Sequence, residues 1–164
     1  MGPVFARKIQ LDAPDGGALK ELSLAHLELI EGLSHELFPA QKWNHRDFAY
    51  FLTHTCRYCW GVFNNDELVS FILGLLVVGE LDVVSIGTAR AVQRVGHARL
   101  LLRSAMQHPG IKRIFLEVRE NNLAAIRLYQ TLGFEQLGVR KKYYEGTTDA
   151  IQFGWVPKAG ERGV

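Results

Sequence analysis

The stretch Val83–Leu102, "VVSIGTARAVQRVGHARLLL", changes character twice. It begins as an apolar, β-branched run, crosses a polar segment around Gln93 and Gly96, and turns apolar again where a helix is predicted from about Gly96 to Gln107. Strand–loop–helix units with glycine at the turn recur as phosphate cradles. Unpaired N–H groups at a helix start, at the positive end of its dipole, suit an anion. Gly96 has no Cβ to keep an oxygen from its backbone, and Arg94 and Arg99 add charge nearby. The loop lacks the Lys-Ser/Thr of a nucleotide P-loop and the further glycines of a dinucleotide fingerprint. Read alone, it is equally a plain helix start or an anion cradle.

The next unit adds chemistry. In "RIFLEVRE", Glu117 stands between Leu116 and Val118, in a strand expected inside the sheet. A carboxylate buried there needs either a partner, Arg119 or another cation at the strand's end, or a catalytic task. In the helix that follows, Asn122, Ala125 or Ile126, Tyr129 and Gly133 share one face. Asn121 or Asn122 is expected to cap the start of this helix and Gly133 to close its end; Tyr129 is a core tyrosine or a reactive one, and Asn122 a helix cap or a ligand contact.

Outward from these units, "VFARKIQLD" (Val4–Asp12) reads as a first strand ended by the turn cluster "APDGG". A helix is predicted from Ala18, closing near Gly32, with "SHELFPAQKW" as a loop. Asn44 caps a second helix, "HRDFAYFLTH". "YCWGVF" and "LVSFILGLLVV" flank an Asn/Asp turn as a hairpin, and Gly79-Glu80 leads into "LDVVSIGTA". The tail, from "EQLGVRKKYY" to "DAIQFGW", is two strands around a Glu-Gly-Thr turn. The order β-α-α-β-β-β-α-β-α-β-β predicts one α/β domain over 1–164, a mixed sheet with helices on both faces.

The 164 residues are 48% hydrophobic and 22% charged, with formal net charge +2, the make-up of a soluble globular protein. Basic residues are scattered except for Arg140-Lys141-Lys142, which argues against a nucleic-acid partner. "LVSFILGLLVVG" is too short for a membrane helix, and "MGPVFARKIQLD" lacks a signal-peptide core, so a cytoplasmic location is expected. Cys56 and Cys59 form a lone C-x-x-C after His54; without a second pair, no metal is expected. Oligomeric state is left open.

"VVSIGTARAVQRVGHARLLL" together with "FLEVRENNLAAIRLYQTLGF" resembles the two signature motifs of the GCN5-related N-acetyltransferases (GNAT). Gln93, Gly96 and Ala98 match the family's Q/R-x-x-G-x-G/A loop, and Asn122, Ala125, Tyr129, Gly133 and Phe134 match N-x-x-A-x-x-x-Y-x-x-x-G-F. The resemblance implies a six- to seven-stranded GNAT fold with about four helices, and acetyl-CoA as co-substrate. It places Ile86, Gly87, Thr88, Gln93, Arg94, Val95, Gly96, His97, Ala98, Asn122 and Tyr129 at the cofactor. "LEVRENN", "RKKYY", "DAI" and "FPAQKW" are also similar to RimI-type enzymes, which acetylate the N-terminal alanine of a small-subunit ribosomal protein. That likeness implies Glu117 as general base and Tyr129 as general acid, in direct transfer without a covalent intermediate.

The residue types agree with this chemistry. An α-amine titrates near about 7.7–8.0, so a modest base suffices to free it. A tyrosine hydroxyl can protonate the departing thiolate. An oxyanion would be held by a backbone N–H of the strand around Ile86–Thr88, where a bulge at Gly87 is expected. Thr88 and Arg90 stand where valine and proline are common in the family, His97 where an apolar residue is frequent, and Ala98 where glycine is usual. The alternatives are a small-molecule amine acceptor (polyamine, amino acid or antibiotic) or a non-catalytic acyl-CoA-binding module.

Overall fold

The computed structural model describes residues 13–160. The expected strand Val4–Asp12 lies outside the described residues. Seven strands form a single sheet: β1 (Ala18–Glu21), β2 (Arg57–Asn64), β3 (Glu67–Val77), β4 (Glu80–Thr88), β5 (Arg113–Arg119), β6 (Glu135–Tyr144) and β7 (Thr148–Trp155). Their spatial order is β1-β2-β3-β4-β5-β7-β6, antiparallel throughout except for the parallel pair β4–β5. Among the described residues, four α-helices accompany them: α1 (Leu27–Leu37), α2 (His45–Thr53), α3 (His97–Gln107) and α4 (Leu123–Thr131). This is the mixed α/β architecture expected, with Glu117 on an interior strand.

The sheet has two cores, one on each face. Leu100, Leu101, Leu102 and Ala105 of α3 pack with Ile114, Leu116, Val118, Tyr129 and Phe153. Ile30 and Leu33 of α1 and Phe48 and Leu52 of α2 pack with Phe63, Phe71 and Leu73. Strand β3 is buried on both faces, which accounts for its continuous apolar run "LVSFIL". Strand β5 alternates, with Ile114, Leu116 and Val118 buried and Phe115, Glu117 and Arg119 on the more open face.

Local chemistry fixes most boundaries. The Asn44 side chain accepts from the Arg46 N–H at 2.8 Å, while Asp47 accepts from the Asn44 N–H at 2.7 Å, a reciprocal cap on α2. The end of α4 is a Schellman turn: Gly133, at φ +87°, donates to Gln130, and Phe134 donates to Tyr129.

The segment after "APDGG" departs from expectation. Ala18–Glu21 is strand, not helix: Ala18 pairs with Phe63 and Glu21 with Trp60, and this edge pairing outweighs the helical propensity of Ala, Leu, Lys and Glu. A short 3₁₀ turn, Leu24–His26, then leads into α1. That helix runs through Gly32 to Leu37, because the effective stop is Pro39, which turns Phe38 out of helical geometry.

Candidate active site

Strands β4 and β5 pair only from Glu80–Val83 against Arg113–Leu116. Beyond Val83 and Leu116 they part, leaving a fork in the middle of the sheet. The expected bulge lies earlier than Gly87. Partners shift from Gly74↔Val83 to Leu73↔Ser85, so Val84 is the extra residue, at the mouth of the fork. Gly87 serves a different purpose: a Cβ there would lie 2.7 Å from Leu37 Cδ1, so glycine lets the end of α1 rest on the strand.

The Ala89 N–H donates to the Val69 carbonyl on β3. By strand alternation, Ile86 and Thr88 turn their amides the other way, into the fork. Gln93 closes the base of this edge, its Nε2 donating to the Thr88 carbonyl at 3.1 Å.

A cavity of about 590 Å³ opens on the α3 side. Ile86, Gly87, Thr88, Gln93, Arg94, Gly96, His97, Ala98, Asn122 and Tyr129 line it, so the structure brings together every residue expected at the cofactor except Val95, which is exposed. Gly96 caps α3 at φ +114°, and Arg94 precedes it at φ +68°. These left-handed turns wind the loop around the helix start. Arg90 and Arg99 add positive charge to the wall, while Leu37 and Phe38 close its apolar end. Asn122 is a helix cap, accepting from the Ala125 N–H at 3.2 Å. The donor set suits a diphosphate: a glycine without Cβ, helix-start amides and three guanidinium groups.

Tyr129 is buried at the inner end of this cavity, its ring against Phe134 and Phe153 at centroid distances of 5.7 and 5.9 Å. Burial, with the nearby Tyr144 second, pushes its hydroxyl well above the ordinary tyrosine range. It therefore keeps its proton at neutral pH.

A second cavity, of about 1030 Å³, lies on the Glu117 side of the fork, between β3–β7 and the loop after α1. Glu117 is not enclosed in the sheet. Its side chain is 25% exposed, on the open face of β5. Its cation partner is Arg140, whose Nε lies 3.0 Å from Oε1, and Gln152 donates to the same oxygen at 3.2 Å. Arg119 pairs instead with Glu145 and stacks over Tyr144 at 4.2 Å, holding the β6–β7 turn. The desolvated carboxylate expected from the sequence is thus a half-open one, oriented through Oε1.

Three residues here escaped the sequence reading. Asp82 faces the same cavity one residue before the fork; burial and then the Glu117 charge push its carboxyl up, and Arg140 opposes them. Tyr144 sits close enough to both Glu117 and Tyr129 to interact with each electrostatically. Gln152 pairs with Glu117 across the β5–β7 register. Only Tyr144 left a signal, in the "RKKYY" stretch.

Cys59 is buried, its Sγ 3.6 Å from the Phe51 carbonyl oxygen, and burial pushes its thiol up to about 11. Both cysteines are free thiols, away from the fork. Among the described residues, no group of His, Cys, Asp or Glu is placed to hold a metal, and no helix is long and apolar enough to cross a membrane.

Comparison with known proteins agrees with this geometry. The chain is similar to the [Ribosomal protein bS18]-alanine N-acetyltransferase of Escherichia coli K12, 34% identical over 93 residues, covering 53% of this chain and 63% of that protein. It is also similar to the N-alpha-acetyltransferase RimI of Mycobacterium tuberculosis H37Rv, 40% identical over 65 residues, 40% of this chain and 41% of the relative. These matches span less than two thirds of the relatives' length. Among solved structures, the ribosomal-protein-S18-alanine N-acetyltransferase from Escherichia coli superposes with a TM-score of 0.79 at 26% identity, over 90% of this chain and 99% of that one. Arabidopsis thaliana NAA60 in complex with acetyl-CoA shares the fold at 16% identity, with a TM-score of 0.78 over 87% of this chain and 99% of that one. The family model for GNAT acetyltransferases matches residues 24–134, more than half of the chain. With that match, the forked sheet and the glycine-capped α3, the chain belongs to the acetyltransferase (GNAT) family.

Proposed function

We propose that the protein is an acetyl-CoA-dependent N-acetyltransferase that acts on a protein N-terminal amine by direct transfer. Its acceptor, on this reading, is the terminal alanine of a small-subunit ribosomal protein. The observation that carries the reading is the fork. It opens between an anion-binding cavity at α3 and an acidic, aromatic cavity at Glu117, so a thioester on one side meets an amine from the other.

In this scheme Glu117 Oε2, left clear of the Arg140 and Gln152 contacts, takes the proton of the acceptor ammonium, directly or through one water. The freed amine attacks the thioester carbonyl. The Ile86 and Thr88 amides face the charge that develops on its oxygen. As the tetrahedral adduct collapses, the carbon–sulfur bond breaks, Tyr129 gives the sulfur a proton, and the second proton of the amine nitrogen leaves through solvent, which restores Tyr129. The loop from Gln93 to Ala98 holds the diphosphate, Leu37 and Phe38 shelter the acetyl group, and Tyr143 and Tyr144 flank the acceptor chain. Both cysteines lie away from the fork, in keeping with a route that needs no acyl-cysteine.

The test is a competition between an alanine-starting peptide and a panel of free amines, with acetyl-CoA as donor. The peptide is expected to have the higher kcat/KM. A preference for spermidine or an amino acid would redirect the assignment to a small-molecule acceptor. Failure of millimolar acetyl-CoA to raise the melting temperature would remove the enzymatic reading, since a ligand at about 100 times its Kd stabilises by about 2.7 kcal/mol.

A further inference from the structure

His97, the first residue of α3, has a side chain with 0% exposure, and neither ring nitrogen makes a hydrogen bond among the described residues. Burying a polar ring without partners destabilises the fold, whereas an apolar side chain would fill the space without that cost. What stands beside it is a carboxylate. Asp15 Oδ2 lies 3.1 Å from His97 Nε2, close enough for an ion pair but out of line for a hydrogen bond.

Asp15 is itself tied in place. It accepts from Asn64 Nδ2, at the end of β2, at 2.7 Å; that bond first, and His97 to a smaller extent, holds its carboxyl below the ordinary range. The turn that carries it is closed by Gly16 N–H donating to the Ala13 carbonyl, and Ala13 is buried in the α3-side core. Pro14 reaches within 3.4 Å of the place a Cβ would take on Gly96. Asp15, exposed to solvent on its outer side, thus sets a negative charge against the first residue of α3, and an uncompensated charge there opposes an anion at the loop, with water screening part of the repulsion. Arg90, Arg94 and Arg99 line the front of the cavity, while His97 is the group in contact with Asp15 from α3.

We infer that His97 is a positioning residue of the donor loop: its imidazole pins Asp15 against α3 and masks that carboxylate from the diphosphate of the bound thioester. Asp15 fastens the segment before β1 to β2 and α3, and His97 makes that fastening compatible with an anion site. The inference rests on the donor-site reading above and adds to it the role of an atypical residue and of a segment outside the signature motifs.

The experiment is a double-mutant cycle on the full chain, read by calorimetric titration with acetyl-CoA and by thermal melting. His97→Leu is expected to weaken acetyl-CoA binding about tenfold without lowering the melting temperature. Asp15→Asn is expected to bind within about twofold of wild type, and the double variant to regain the affinity lost by His97→Leu. His97→Ala, which cannot overpack the site, is expected to show the same loss and the same rescue. Unchanged affinity in both His97 variants overturns the inference, as does a loss that Asp15→Asn fails to relieve. Wild type that binds no acetyl-CoA overturns the donor-site reading itself, a result distinct from either.

Discussion

The two cavities that meet at the β4–β5 fork are built from different material. The α3 cavity is drawn from two short stretches, Ile86–Arg99 and Asn122–Tyr129, plus the end of α1, and centres on one loop with its glycine cap, three arginines and one face of α4. The Glu117 cavity gathers the side chains of Asp82, Glu117, Arg140, Tyr144 and Gln152 from four strands, β4 to β7, across some seventy residues of sequence. The contrast teaches which changes each side tolerates. A backbone cradle depends on conformation, so it fails when a φ angle is forbidden. A side-chain site depends on functional groups, so isosteric swaps can silence it while leaving the fold intact.

The sharpest way to break the contrast is at Gly96. Its φ of +114° is strained for any L-residue, so Gly96→Val should weaken acetyl-CoA binding by about a hundredfold or more. Titration calorimetry on protein shown by circular dichroism to be folded checks this. On the other side, Glu117→Gln keeps shape and contacts but loses the base. We expect kcat to fall by about a hundredfold at neutral pH with acetyl-CoA affinity unchanged. Tyr129→Phe retains both ring contacts, so transfer should slow by about tenfold while the melting temperature moves little. A large loss of stability with unchanged turnover would make Tyr129 a core residue only.

The smallest effect is at Asp82. Because its carboxyl is pushed up, the folded protein holds that proton more tightly than the unfolded chain. Its ionisation therefore lowers stability as pH rises through the carboxylate range, and the cost is absent below that range. Asp82→Asn should melt slightly above wild type at about pH 7 and level with it at about pH 3. A lower melting temperature at neutral pH would mean that Asp82 makes a stabilising contact instead.

The same contrast explains what could be read from the sequence. The α3 side was legible because strand, loop and helix are contiguous, and Gln93, Gly96 and Ala98 keep their meaning at fixed spacing. The caps were legible too, since Asn44, Asn122 and Gly133 act within a few residues of themselves. Ala18–Glu21 was not, because its strand identity comes from Trp60–Phe63, some forty residues on, against local helical preference. Arg140 and Gln152 meet Glu117 only through the β5–β7–β6 register, which no local pattern encodes. Likewise the bulge belongs to Val84 because of how β3 and β4 pair, while Gly87 answers to Leu37.

The central claim is that Glu117 prepares the amine on one side of the fork for a thioester held on the other. The direct test is the single-turnover rate of Glu117→Gln from about pH 6 to pH 9, with saturating acetyl-CoA and an alanine-starting peptide. The account predicts a deep loss near pH 7 that narrows toward pH 9, where the amine, with its pKa near about 8, is already free. A rate equal to wild type across the whole range would contradict it.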